Sequence, residues 1–213
     1  MIPISPVIPR TPHKLFSICL LTLSVFVVPE VNAARWYHVE VILFKQLANE
    51  LAGDEDWSVP DRAPNFATAI ELDSLTGDGG AIVPLSSSAF YLAGVYDRLS
   101  ASASYQPVLH RAWAQPGFSA NNVRNVYLAE LPSLNQDATD LSLEPAESAI
   151  EGSIGLQGGR LLHVNVNLVL RDSTLTTTIS EFRRIKLKQL HYFDHPLFGA
   201  LIRVIPYRVE ADE

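Results

Sequence analysis

With 213 residues, 47% of them hydrophobic and 18% charged, the chain carries enough apolar material for one domain with a true core. A formal net charge of −7 argues against nucleic acid as a partner. The single cysteine, Cys19, lies in an apolar N-terminal run, which excludes disulfides and thiolate catalysis from any form that has lost that run.

A weakly basic start (Arg10, Lys14), an apolar run over residues 15–28 and the small-residue end Val31-Asn32-Ala33 predict an export signal over 1–33, cleaved after Ala33 or Ala34. The run is too short to span a bilayer comfortably. Ile18 stands before Cys19 where a lipoprotein signal needs a small residue, so lipidation is not expected. Residues 34–213 are then expected to form a single domain with no transmembrane segment. Without Arg10, Lys14 and Glu30, 14 basic and 22 acidic residues remain, unevenly spread. Residues 50–80 hold eight acids against Arg62 alone, and residues 130–151 hold six against no base. Residues 181–208 reverse the balance, with six basic residues against Glu181 and Asp194. That basic stretch suits an anionic partner, or equally the chain's own acidic loops.

The first mature element, "RWYHVEVILF", sets Tyr37, Val39, Val41 and Leu43 against His38 and Glu40, the period of a half-buried strand. A long acidic excursion over 48–80 shows no periodicity. "PLSSSAFYLAGVYDRLSASAS" repeats Leu85, Ala89, Leu92, Ala93, Tyr96 and Leu99 at helical spacing, with serines placed to cap its start. "YQPVLHRAWAQP" and "VRNVYLAEL" read as strands, followed by a second acidic loop, "NQDATDLSLEPAES". Gly158-Gly159 then separates two alternating runs, which predicts a hairpin. A three-residue loop, 158–160, would pair Ile154 with Val164 and Leu156 with Leu162, apolar on apolar. "TISEFRRIKLKQLHYF" and "ALIRVIPYRV" read as two further strands.

"QLHYFDHPLFG" carries His191, Asp194 and His195 in an H-x-x-D-H spacing resembling the H-x-x-E-H of zinc peptidases, which requires a helix. The flanking alternation is that of a strand, and Pro196 keeps His195 out of the helical region. On a strand the two imidazoles would sit roughly 13 Å apart, too far for one zinc. Asp194, His195 and Pro196 are therefore read as a structural turn, with Asp194 accepting backbone N–H groups and orienting His195. No G-x-S-x-G elbow, P-loop or G-x-G-x-x-G is present. No catalytic residue, metal site or cofactor is expected, and a cryptic hydrolase using His191 or His195 is the weakest reading.

The run "LLHVNVNLVLR" turns His163, Asn165 and Asn167 away from its apolar face. Alternation likewise puts Arg184, Lys186 and Lys188 opposite Ile185 and Leu187. If the two sets share a sheet face, it becomes a polar, basic platform suited to a carbohydrate bearing carboxylates, with Trp113 or Tyr192 supplying an aromatic surface.

Four blocks, "RWYHVEVILF", "VLHRAWAQP", "GGRLLHVNVNLVL" and above all "FRRIKLKQLHYFDHPLFGALIRVIPY", resemble the CsiV family of periplasmic, peptidoglycan-binding proteins of Gram-negative bacteria. Ala114, Lys186 and Gln189 depart from the family's usual residues. The resemblance implies a non-catalytic, periplasmic protein that binds peptidoglycan and supports cell-wall biogenesis and cell shape. It also implies action on a class A penicillin-binding synthase through that enzyme's outer-membrane lipoprotein activator. The alternative is a protein-interaction adaptor with only incidental glycan contact. The expected fold is α+β, an antiparallel β-sheet with one main covering helix and long acidic loops.

Overall fold

The alternating run "RWYHVEVILF" forms β1 (Trp36–Gln46). It lies at the centre of a five-stranded sheet, between β4 (Tyr105–Pro116) and β10 (Phe198–Tyr207), with β3 (Val83–Pro84) and β9 (Leu190–Asp194) at the edges. A second five-stranded sheet runs in the order β2 (Ile70–Glu71), β5 (Asn125–Ala129), β6 (Ser148–Gln157), β7 (Leu162–Asp172) and β8 (Thr176–Ile185). Between these strands every pairing is antiparallel except the short parallel contact of β2 with β5. The computed structural model describes residues 35–47, 64–72, 81–130, 148–172 and 175–208, all within one compact unit. The predicted export segment and most of both acidic loops lie outside the described residues. The class is α+β and dominated by strands, but with two sheets where one was expected.

One apolar core joins the two sheets. Tyr37, Val39, Val41 and Leu43 of β1 and Trp113 of β4 belong to the same buried cluster as Ile154 of β6 and Val164, Val166 and Leu168 of β7. Each fully buried aliphatic side chain contributes about 1.5–3 kcal/mol, so this interior is the main source of stability. β1 is not half-buried as its alternation suggests. His38 and Glu40 are 3% and 0% exposed, because a second layer covers the outer face of their sheet.

That layer is the segment expected to be one long helix. It folds as a 3-10 turn (Ser87–Ala89) and a short α1 (Ala93–Ser100). The serines spend their bonds on the tight turn, where Ala89 N–H donates to Ser86 O at 2.9 Å and Phe90 N–H to Ser87 O at 3.1 Å. They do not cap α1. The cap comes from the sheet, where the Glu40 carboxylate accepts the N–H groups of Tyr91 and Leu92, each at 2.9 Å.

The 158–160 hairpin is a true hairpin in a different register. Ile154 faces Val166 and Leu156 faces Val164, two residues from the expected pairing. A shift of two preserves the faces, so apolar still meets apolar. The longer loop follows from a crossing, since Gly158 N–H donates to Phe118 O at 2.7 Å. There a Cβ on Gly158 would stand 2.6 Å from Gly117 Cα.

The run read as one strand over 178–193 is two strands in two sheets. β8 ends at Ile185 and β9 begins at Leu190. Between them Lys188 adopts a positive φ of 65°, and His191 Nε2 lies 3.1 and 3.0 Å from the backbone N and O of Lys186. Arg183, on the inner phase of β8, closes the gap by donating to Tyr192 O and lying 3.8 Å from the Phe193 ring centroid.

Candidate functional site

Strand register sets side chains of the second sheet in rows on its outer face. Asn125, Gly155, Asn165 and Phe182 form one row across β5, β6, β7 and β8. The next holds Tyr127, Ser153, Asn167 and Ser180, and on the other side Gln157, His163 and Arg184 stand in line. The predicted platform thus exists in part. His163, Asn165, Asn167 and Arg184 share one face, the first three half-exposed and Arg184 exposed.

The remaining candidates go elsewhere. Lys186 and Lys188 are exposed but sit in the turn beyond the end of β8 rather than along one strand face. Tyr192 is 41% exposed but projects from the other sheet, stacked on Phe44 with centroids 6.0 Å apart. Trp113 is 0% exposed, and its indole N–H donates to Gln115 Oε1 at 2.6 Å. It is a core residue and offers no surface to a sugar.

Asp194, His195 and Pro196 do form a turn, closed by His195 N–H donating to Phe198 O at 3.1 Å. Asp194 does not orient the imidazole. Its carboxylate accepts the Tyr192 hydroxyl and, at 3.1 Å, the Gln46 amide. His195 is fixed by Thr177, whose hydroxyl lies 2.8 Å from Nε2, and by Leu197 N–H donating to Nδ1 at 3.1 Å. His191 and His195 therefore serve separate structural contacts. Among the described residues no group of three or more His, Cys, Asp or Glu is placed to hold a metal ion.

The open face carries a residue that the platform argument missed. Phe182 is 59% exposed, and its ring stacks on His163 with centroids 5.1 Å apart and planes 10° from parallel. Ile179 and Ile185, both 3% exposed, fix the inner phase of β8, so alternation from them already placed Phe182 outside beside Arg184. Ser180 donates to Asn167 Oδ1 at 2.9 Å, which leaves the Asn167 amide nitrogen as a donor. Asn125 Oδ1 and His163 Nδ1 are buried with no hydrogen-bond partner among the described residues.

Charge on this face is largely self-compensated at the β5 end. Glu151 accepts the Tyr127 hydroxyl and the Arg171 guanidinium, both at 2.8 Å. Burial together with the Glu151 hydrogen bond pushes the Tyr127 phenol up to about 12. For Glu151 burial opposes ionisation, but the bonds from Tyr127 and Arg171 outweigh it and hold the carboxyl below its ordinary value. Arg184 has no acidic partner among the described residues.

The opposite outer face holds His38 and Glu40, both buried, together with the half-buried His110. His110 Nε2 lies 2.8 Å from Glu40 Oε1, and His38 Nε2 lies 3.6 Å from Oε2, beyond a regular hydrogen bond. Burial would raise the Glu40 carboxyl, yet His110, His38 and the N–H groups of Leu92 and Tyr91 together hold it at about 2. Phe90 and Tyr96 lie against the His110 ring, at centroid distances of 4.3 and 5.3 Å. Enclosed in this way, the group fastens the covering layer to the sheet.

Residues 15–207 match the family model described as "Peptidoglycan-binding protein, CsiV". No curated protein and no solved structure matches the chain.

Proposed function

The chain belongs to the CsiV family of peptidoglycan-binding proteins, and we propose that it binds peptidoglycan, without catalysis, through the open outer face of the second sheet. The observation that carries this reading is the sharing of that face by His163, Asn165, Asn167 and Arg184. Amides and an imidazole suit sugar hydroxyls and acetamido groups, and Arg184 suits a carboxylate. Lys186 and Lys188, just past the strand end, extend the positive charge toward carboxylates hanging from the glycan.

In this reading residues 1–33 direct export, cleavage follows Ala33 or Ala34, and the protein works in the periplasm. Among the described residues no helix is long and apolar enough to cross a membrane. Support of cell-wall assembly and cell shape, through the outer-membrane lipoprotein activator of a class A penicillin-binding synthase, rests on the family resemblance. An adaptor role has its own observation in the exposed Tyr91, Leu190 and Tyr192 of the first sheet's side, and the two surfaces are compatible in one molecule.

The test is cosedimentation of purified protein with sacculi. Replacing Arg184, Lys186 and Lys188 together by serine should weaken binding several-fold and make what remains less salt-sensitive, with the thermal midpoint nearly unchanged, since exposed charges contribute little to stability. Unchanged binding and salt dependence in the folded triple variant would move the surface elsewhere. Release of muropeptides from sacculi by the purified protein, with or without zinc, would overturn the non-catalytic reading.

A further inference from the structure

We infer that the Phe182–His163 ring pair is the seat of a sugar ring, so that the glycan strand supplies the main grip on peptidoglycan and the carboxylates of the peptide stems only add to it. The inference rests on the reading that the open face binds peptidoglycan. It begins from an apolar side chain in a polar place. Phe182 occupies the outer phase of β8, between Ser180 and Arg184, and is 59% exposed where a sheet facing water ordinarily carries a polar residue.

The ring is also positioned. His163 on β7 stacks against one face of it, 10° from parallel with centroids 5.1 Å apart, which holds the ring's orientation and leaves its other face as the apolar plane. Among the described residues His163 Nδ1 has no hydrogen-bond partner, and the stack on Phe182 is the ring contact of this imidazole. A flat aromatic plane is complementary to the C–H face of a pyranose, and it costs little entropy because a ring has only two side-chain torsions.

On the side of the plane away from Arg184 the neighbours are neutral and short. Asn165 stands directly opposite Phe182, and beyond it the side chains of Asn125 and Val123 fill the space over Gly155, so an amide bounds the plane on that side. In the adjacent row Asn167 keeps its amide nitrogen as a donor while Ser180 occupies its oxygen. Such groups answer hydroxyls and acetamides, which a glycan strand presents along its whole length. Stem peptides would instead need cations for their carboxylates. Along β7 and β8 only Arg184 supplies an uncommitted one on this face, with Lys186 and Lys188 beyond the strand end, since Arg171 is taken by Glu151.

The experiment uses sacculi, a tetramer of β-1,4-linked N-acetylglucosamine as a carboxylate-free probe, and purified stem peptide as the opposing probe. Wild type should bind sacculi and the sugar tetramer. Phe182→Ala should weaken both about tenfold while melting like wild type, and Phe182→Trp, which restores an aromatic plane, should retain both. In NMR titrations the tetramer should shift the His163 ring signals in wild type and in Phe182→Trp. A folded Phe182→Ala that binds sacculi like wild type would overturn the inference while leaving the broader reading intact. So would competition of sacculus binding by stem peptide and not by the tetramer, or a dimer that Phe182→Ala disperses without affecting glycan binding. Failure of wild type itself to sediment with sacculi would overturn both.

Discussion

The two outer faces of this molecule start from the same pattern and end as opposites. β1 presents His38 and Glu40 on the polar side of its alternation, and β7 presents His163, Asn165 and Asn167 on the polar side of its own. The first set is buried beneath residues 86–100, and the second lies open. Burial turns polar residues into structural fasteners, because each one removed from water must find a partner. Glu40 accepts hydrogen bonds from two backbone N–H groups and lies in bonding distance of His110. Openness leaves the β7 residues with capacity to spend on a ligand.

Substitutions should therefore separate the faces, stability on one and binding on the other. The largest effect is expected at Glu40. Glu40→Gln removes the ionised acceptor from a site that is 0% exposed and turns an amide toward its donors. The expected loss is about 3–5 kcal/mol, or a fall of roughly 10 °C in the thermal midpoint, with residual sacculus binding per folded molecule unchanged. Thermal melts and sedimentation of the folded fraction check this.

Acid titration sharpens the same point. The folded Glu40 carboxyl, at about 2, lies below its ordinary value of 4.5, so its ionised form adds stability above about pH 4.5 that drains as the pH falls toward 2. The total is on the order of 3 kcal/mol. Urea unfolding across that window should show the slope in wild type and a flatter profile in Glu40→Gln. A comparable slope in both would place the acid-sensitive group elsewhere.

How much of this contrast the sequence carries can be judged from particular residues. Strand positions in β1, β4, β7 and β10 were legible because period-two alternation is local. The face of the hairpin was legible too, and its register was not, since a shift of two residues leaves every face unchanged. The break between β8 and β9 was hidden because no glycine or proline marks the turn. Lys188 supplies the positive φ instead, and alternation ran unbroken through it. Burial of Trp113 and of Glu40 depends on which layer covers which face, a tertiary fact beyond the reach of periodicity. Phe182 was legible from the phase of Ile179 and Ile185 alone.

The smallest expected effect is on the open face itself. Arg171 is 45% exposed in its pair with Glu151, so Arg171→Ala should cost less than about 1 kcal/mol and the cost should shrink in high salt. Denaturant melts at two salt concentrations measure it. A loss as large as that of Glu40→Gln would erase the distinction between the faces.

Sacculus cosedimentation with a bulky thiol label placed on one face at a time tests the central claim most directly. In a Cys19→Ser background, Ser180→Cys puts the label on the open face and Ser100→Cys puts it at the end of α1 on the covered side. The labelled Ser180→Cys protein should stay folded and lose sacculus binding, while the labelled Ser100→Cys protein should bind like wild type. Equal binding by both, or loss only from the α1 side, would contradict the assignment of peptidoglycan to the open face.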